Sequence, residues 1–127
     1  MKIRVLIADD HTAFRNALRS LLETDPDIEV TGAVSSGQEA CSLAVESDAQ
    51  VVCMDFRMAR MDGIESTRRL VAAMPHIKII GLSASFEAST ESEMLAAGAS
   101  IYIPKANASE DLLPAIHAMF SLGQPVA

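Results

Sequence analysis

The chain has 127 residues, half of them apolar, and a formal net charge of −7. This length supports one domain with a real core, and no apolar run approaches the ~18 residues of a membrane span. The acidic balance repels nucleic acid, which normally binds a basic patch, and it favours metal cations and basic partner surfaces. Asp9 and Asp10 interrupt the first apolar run too early for a signal peptide, so we expect a cytoplasmic protein.

Strands and helices alternate five times in the predicted order of elements. Short continuous apolar runs predict strands buried on both faces, and these runs cover residues 3–8, 28–34, 50–54, 77–82 and 101–103. Apolar residues at helical spacing follow each run. They are Phe14, Ala17, Leu18, Leu21 and Leu22, then Ala40, Leu43 and Ala44, then Ile64, Thr67, Val71 and Met74, then Met94 and Leu95, and finally Leu112, Leu113, Ile116 and Phe120. This alternation predicts an α/β fold with a parallel sheet between two helical layers.

The sequence also predicts where helices begin. Thr12 and Ser109 are expected N-caps, because a short side-chain oxygen can accept a free N–H of the first turn. Ser36 with Glu39 has the spacing of a capping box. Asp62, just before Gly63, is expected to open the third helix.

Ionisable and hydroxyl side chains follow four of the predicted strands. Asp9 and Asp10 follow the first, Asp55 ends the third, Ser83 ends the fourth and Lys105 follows the fifth. Because the carboxyl ends of parallel strands share one edge, we expect these groups in one cleft. Three carboxylates repel one another unless a cation joins them, and oxygen ligands favour Mg²⁺ or Mn²⁺. With a lysine and a hydroxyl, the set favours phosphoryl transfer to a carboxylate nucleophile, Asp55.

Five groups of residues share the order and spacing of one known family. They are Ala8-Asp9-Asp10-His11 with Phe14-Arg15 and Leu18, Met54-Asp55 with Met58 and Met61-Asp62-Gly63, Leu82-Ser83-Ala84, Ala97-Gly98-Ala99, and Tyr102 with Lys105. The chain therefore resembles the receiver domain of two-component response regulators of the NarL/FixJ (LuxR-type) subfamily. The resemblance implies a (βα)5 doubly wound, flavodoxin-like sheet with strand order 2-1-3-4-5. It implies a receiver domain over residues 1–122, with residues 123–127 as a tail or the start of a linker to an absent output domain.

The resemblance assigns roles around Asp55. Asp55 would accept a phosphoryl group from a histidine kinase or a phosphotransfer protein. Asp10, Asp55 and the backbone carbonyl of Arg57 would bind Mg²⁺, or Mn²⁺ in its place, and Asp9 would act through the waters of the metal ion. The chain would then catalyse only its own phosphorylation and dephosphorylation, and would not be an enzyme acting on other substrates.

The resemblance also assigns the response to phosphorylation. Ser83 and Lys105 would bind the phosphoryl oxygens, and Tyr102 would change rotamer as Ser83 moves towards the phosphate. The expected output is transcriptional control through a DNA-binding domain outside this chain, with a homodimer formed on phosphorylation. No direct contact with nucleic acid or membrane is expected of the receiver itself.

Two positions depart from the family pattern, and other functions stay open. Ala59 and Ala106 stand where many receivers have proline, which leaves the phosphoacceptor loop freer and the peptide bond after Lys105 undetermined. The alternatives are a stand-alone receiver and an interaction module that works without phosphorylation. Arg57 disfavours a haloacid-dehalogenase-like phosphatase, which needs a second aspartate there. The acidic pair disfavours a flavodoxin-like cofactor site, and an oxygen-rich metal site argues against His11 as a ligand.

Overall fold

The computed structural model describes residues 2–58, 62–84 and 87–121, which form a five-stranded parallel sheet with order β2-β1-β3-β4-β5. The strands are β1 (Ile3–Ala8), β2 (Ile28–Val34), β3 (Val51–Asp55), β4 (Lys78–Ser83) and β5 (Ile101–Pro104). The helices are α1 (Thr12–Glu23), α2 (Gly37–Glu46), α3 (Gly63–Ala73), α4 (Ala88–Ala97) and α5 (Ala108–Ser121), with a short 3-10 helix at Lys105–Asn107. The predicted fold class and strand order are confirmed.

The sheet separates two apolar cores, which explains why its central strands are apolar on both faces. Val51 and Cys53 of β3 belong to the core under α1 and α5, while Val52 and Met54 belong to the core under α2, α3 and α4. All five residues of β3 are buried. Asp55 is therefore carried to the carboxyl edge of the sheet by a strand whose register is fixed by burial on both sides.

Two of the predicted helix starts are confirmed and two are wrong. The Ser36 hydroxyl accepts the N–H of Glu39, and Asp62 accepts the N–H of Glu65. His11, not Thr12, is the N-cap residue of α1, because Asp9 Oδ1 accepts the His11 N–H and turns the chain directly into the helix. Ser109 lies inside α5, because the 3-10 turn after β5 runs straight into that helix.

One predicted core residue of α4 is also misplaced. Met94 is fully buried over Gly81, but the side chain of Leu95 is 42% exposed. Consecutive helical residues point about 100° apart, and Thr90 shares the buried face with Met94. No helix among the described residues combines the length and apolar character needed to cross a bilayer.

Candidate functional site

A cleft of about 240 Å³ opens at the carboxyl ends of the strands. It lies above β3 and β4, where loops leave the sheet towards the helices on either side. Parallel sheets place their ligand sites at this edge. The residues that line the cleft are His11, Asp55, Arg57, Ser83, Ala84, Glu87 and Lys105.

Lys105 links the two buried carboxylates of the cleft. Its Nζ lies 2.8 Å from Asp9 Oδ2 and 3.5 Å from Asp55 Oδ1, and its side chain is only 12% exposed. The contact with Asp9 Oδ2 is an ion pair without hydrogen-bond alignment. The other oxygen of Asp9 accepts the His11 N–H at 2.8 Å. Asp9 is thus held on both sides, and it positions the ammonium beside Asp55.

The surroundings of the Asp55 carboxyl group disfavour its charged form. Burial, followed by the charge of Asp9, raises the pKa of Asp55 to about 6. Lys105 and the backbone N–H of Arg57 act in the opposite direction. Asp55 Oδ2 is buried and has no hydrogen-bond partner among the described residues. A buried oxygen in this state is expected to attract a cation or a hydrogen-bond donor.

The carboxylates fit a divalent metal ion. Ligand atoms of Asp9, Asp10, His11 and Asp55 all lie within 4.8 Å of one another. Asp9 and Asp55 are buried, while Asp10 is exposed. Asp9 Oδ1, Asp10 Oδ1 and Asp55 Oδ2 all lie within 3.9 Å of one atom, His11 Nδ1. Oxygen is the donor that Mg²⁺ and Mn²⁺ accept.

Phe14, predicted to pack in the core and also part of the family pattern, contacts a residue of the cleft. The Lys105 Nζ lies 4.5 Å from the centroid of its half-buried ring. An aromatic face attracts a cation at this distance. The helical spacing of Phe14 with Leu18 indicated packing, and nothing in that spacing pointed to the ammonium that the 3-10 turn brings over the ring.

Ser83 and Tyr102 occupy neighbouring strands. Ser83 is buried at the end of β4 and borders the cleft. Tyr102 is half buried on β5, opposite Gly81, and packs against the core under α2, α3 and α4. The structure thus brings Ser83 to Asp55 and Lys105, and places Tyr102 one strand away.

The loop after Asp55 is described only in part. The Arg57 side chain is exposed, lines the cleft and lies 5.7 Å from the Phe56 ring centroid. Ala59 lies outside the described residues, so the departure predicted there has no structural outcome. The peptide bond between Lys105 and Ala106 is trans, as are the other peptide bonds of the described chain.

Larger grooves than this cleft lie elsewhere on the molecule. A groove of about 440 Å³ lies at the opposite edge of the sheet, where the loops after α2 and α3 meet the end of α5. It does not combine buried carboxylates with an ammonium and a hydroxyl, as the smaller cleft does. The residues that line it are Asp48, Ala49, Gln50, Met74, Pro75, His76, Ile77 and Phe120.

Comparison with known sequences agrees with this geometry. Residues 5–117 match the family model described as the response regulator receiver domain. The chain is 40% identical over 123 residues to the transcriptional regulatory protein LiaR of Bacillus subtilis, covering 97% of this chain and 58% of LiaR. It is 37% identical over 116 residues to the response regulator protein VraR of Staphylococcus aureus, covering 91% of this chain and 56% of VraR. The chain thus spans little more than half the length of these relatives.

Solved structures agree at the level of the fold. The response regulator domain of Thermotoga maritima CheB superposes with a TM-score of 0.88 at 27% identity, covering 96% of this chain and 98% of that one. A LuxR-family two-component response regulator from Aurantimonas sp. SI85-9A1 superposes with a TM-score of 0.89, also at 27% identity, covering 95% of this chain and 86% of that one.

Proposed function

Because the chain belongs to the response regulator receiver family, we propose that it accepts a phosphoryl group on Asp55 from a histidine kinase or phosphotransfer protein. One observation carries the proposal. Asp55 is a buried carboxylate with Lys105 beside Oδ1, and its Oδ2 has no hydrogen-bond partner among the described residues. The same carboxylate belongs to a cluster with two further acids. This asymmetry suits a group that attacks phosphorus with one oxygen and binds a metal ion with the other.

The chemical step needs few protein groups. An oxygen of Asp55 forms a P–O bond while the P–N bond of the donor phosphohistidine breaks, and the imidazole nitrogen keeps the bonding electron pair. Lys105 then neutralises charge on the phosphoryl oxygens, and the Ser83 hydroxyl donates a hydrogen bond to one of them. Mg²⁺, or Mn²⁺ in its place, would neutralise the same oxygens, held by Asp10, Asp55 and the backbone carbonyl of Arg57, with Asp9 acting through water.

The same site removes the group. Water attacks the phosphorus of the acyl phosphate, the P–O bond to Asp55 breaks, and inorganic phosphate leaves as the carboxylate is restored. The chain thus catalyses its own phosphorylation and dephosphorylation without turning over another substrate. Between these events, Ser83 is drawn towards the phosphoryl group and Tyr102 follows into the space that it leaves. Two arrangements of one packed surface are thereby linked to a local change of charge.

The output belongs to a longer protein. The relatives above extend well beyond the matched region, and one is named a transcriptional regulatory protein. We assign residues 1–122 to the receiver and residues 123–127 to a tail or linker before a DNA-binding domain. Contact with DNA falls to that domain, because this chain carries a net charge of −7. Phosphorylation would promote a homodimer, and the protein would act in the cytoplasm.

Phosphorylation by a small donor tests the function directly. Incubation with acetyl phosphate and Mg²⁺ should add one phosphoryl group by intact-mass spectrometry, and peptide mapping should place it on Asp55. Asp55→Asn should abolish the adduct, while Asp25→Asn, a carboxylate on the opposite edge of the sheet, should retain it. If neither acetyl phosphate nor beryllofluoride forms an adduct with a folded wild-type chain, the interaction module that works without phosphorylation is the better description.

A further inference from the structure

The side chain of Met94 fills the space above Gly81, a glycine in the inner strand β4. A Cβ atom at Gly81 would lie 2.7 Å from Met94 Cε, 3.3 Å from its Cγ and 3.4 Å from its Cβ. Met94 belongs to α4 and is fully buried. The space that a side chain of β4 would normally occupy is therefore taken by a long side chain from the helix above it.

Helix α4 is held close to its neighbours on both sides of this contact. Thr90 and Ala97 share its buried face with Met94. The helix ends at Gly98, which has a φ of +120°, and a Cβ atom there would lie 2.9 Å from Val71 Cγ2 of α3. Because protein interiors are close-packed, the helix has little room to settle further. Adjustment above Gly81 falls to the Met94 side chain, which is unbranched and changes rotamer readily.

Tyr102 lies beside the contact between Met94 and Gly81. Its Cα pairs with the Gly81 Cα in the register of β4 with β5, and neighbouring strands are about 4.8 Å apart. Tyr102 packs against the same core that contains Met94. Ser83 follows Gly81 on the same face of β4, because alternate residues of a strand share a face. The direct path of the Tyr102 ring towards Ser83 therefore passes the terminal methyl of Met94.

We propose that Met94 is a stop that holds the Tyr102 ring in its half-buried position, so that the ring moves inward towards Ser83 only when the Met94 side chain gives way. This inference rests on the response of Tyr102 in the proposed function and names the residue that sets the balance between the two ring positions. Met94 is not among the described residues that line the cleft. It is a positioning residue that acts through Tyr102.

Fluorescence tests the stop selectively, because Tyr102 is the only tyrosine of the chain and the chain has no tryptophan. Acrylamide quenching of the tyrosine emission reports how exposed the ring is. In the chain without beryllofluoride, Met94→Ala should lower the quenching constant about twofold or more, because the ring then occupies mainly the inward position. Met94→Leu shortens the side chain but conserves most of its volume, so it should act in the same direction to a smaller extent.

Leu95→Ala is the matched control. Leu95 is the next residue of α4 and its side chain is 42% exposed, so this variant removes a similar volume from the same helix outside the contact with Gly81. It should keep the wild-type quenching constant. Circular dichroism checks that each variant is folded, and Met94→Leu decides the question if Met94→Ala does not fold.

Beryllofluoride binding with Mg²⁺ tests the same coupling from the phosphoacceptor side. Binding should lower the quenching constant of the wild-type chain. If the Met94 variants already favour the inward ring, reciprocity requires them to bind beryllofluoride more tightly, by about fivefold for Met94→Ala. Leu95→Ala should bind it as the wild type does. Fluorine-19 NMR measures the bound fraction, and a packing defect alone would not tighten binding.

Three results would overturn the inference. The first is equal quenching in the wild type and a folded Met94 variant, and the second is an equal fall in Leu95→Ala. The third is a wild-type chain that binds beryllofluoride at Asp55 while the quenching of Tyr102 stays unchanged. If the wild-type chain binds no beryllofluoride, the proposed function fails, whereas the comparison without beryllofluoride still decides the role of Met94.

Discussion

Two clusters on opposite edges of the sheet use similar residues to different effect. Asp9, Asp10 and Asp55 meet His11 at the carboxyl edge, while Asp25 and Asp27 meet His117 beside the amino end of β2. Each cluster combines carboxylates with an imidazole, and each could be taken for a metal site from its residue types alone. The difference lies in how far the carboxylate oxygens are already satisfied.

The second cluster is closed upon itself. His117 Nε2 lies 2.6 Å from Asp25 Oδ2, and Asp25 Oδ1 accepts the N–H of Asp27 at 2.9 Å. The hydrogen bond with His117 holds the pKa of Asp25 below its ordinary value. In the first cluster, burial and the charge of Asp9 raise the pKa of Asp55 to about 6, and one oxygen of Asp55 has no hydrogen-bond partner. A carboxylate whose oxygens are hydrogen-bonded stabilises the fold. A carboxylate with a raised pKa and an oxygen without a hydrogen-bond partner is available for chemistry.

The largest expected effect on stability comes from removing the ammonium of Lys105, which lies between Asp9 and Asp55. Lys105→Met leaves Asp9 and Asp55 buried without their shared ammonium, so the free energy of unfolding at pH 7 should fall by about 3 kcal/mol. Urea denaturation without metal measures this, and added Mg²⁺ should restore part of the loss. Lys2→Met is the control, because Lys2 is exposed. An equal change in the free energy of unfolding of the two variants would contradict the view that Asp9 and Asp55 need the ammonium of Lys105 to remain buried as charged groups.

Neutralising Asp55, the proposed nucleophile, should raise the free energy of unfolding, whereas the loss of Lys105 lowers it. A folded pKa of about 6 exceeds the ordinary value of 3.8, so the folded chain binds the extra proton between these values and loses stability as the pH rises through them. Asp55→Asn should therefore stabilise the metal-free chain by about 1 to 3 kcal/mol at pH 7. The gain should vanish below pH ~4, as measured by urea denaturation at several pH values. A gain independent of pH would point to another cause.

Asp25→Asn should destabilise the chain and so separate the two clusters. A lowered folded pKa gives stability that is present above the unfolded value and lost as the pH falls towards the folded one. We expect a loss of about 1 kcal/mol at pH 7, the upper range for a pair near the surface, and a smaller loss in strong acid. Asp27→Asn is the control, because Asp27 contributes its backbone N–H to Asp25. A stabilising effect of Asp25→Asn would show that neutralising an acid changes the free energy of unfolding in the same direction in both clusters.

The smallest expected effect concerns the aromatic ring under Lys105. Phe14→Leu removes a cation–π contact of about 0.5 to 1 kcal/mol, so phosphorylation by acetyl phosphate should slow by roughly two- to fivefold. Phe14→Tyr keeps an aromatic face and should restore the wild-type rate. The rate is measured by intact mass at a fixed donor concentration. If Leu and Tyr variants are equally slow, the ring acts through its shape and not through the ammonium.

Much of this arrangement was predictable because it follows from local patterns. Continuous apolar runs are typical of strands covered on both faces, and the strand ends of a parallel sheet share an edge. These two facts were enough to bring Asp9, Asp55, Ser83 and Lys105 together before any contact was known. The predicted caps at Thr12 and Ser109 were wrong for the complementary reason, since hydrogen bonds and turns from the preceding residues decided where α1 and α5 begin.

The amino-acid sequence by itself determined the layers, the strand order through family resemblance, and the set of groups at the carboxyl edge. Only the tertiary structure decided which of those groups have a hydrogen-bond or charge partner. The partners Asp25 and His117 are 92 positions apart. Phe14 meets Lys105 because α5 packs against α1 and the 3-10 turn that contains Lys105 leads directly into α5. Periodicity records which face of an element is buried, but a side chain's charge partner depends on how distant elements pack. The raised pKa of Asp55 is therefore a property of the folded chain.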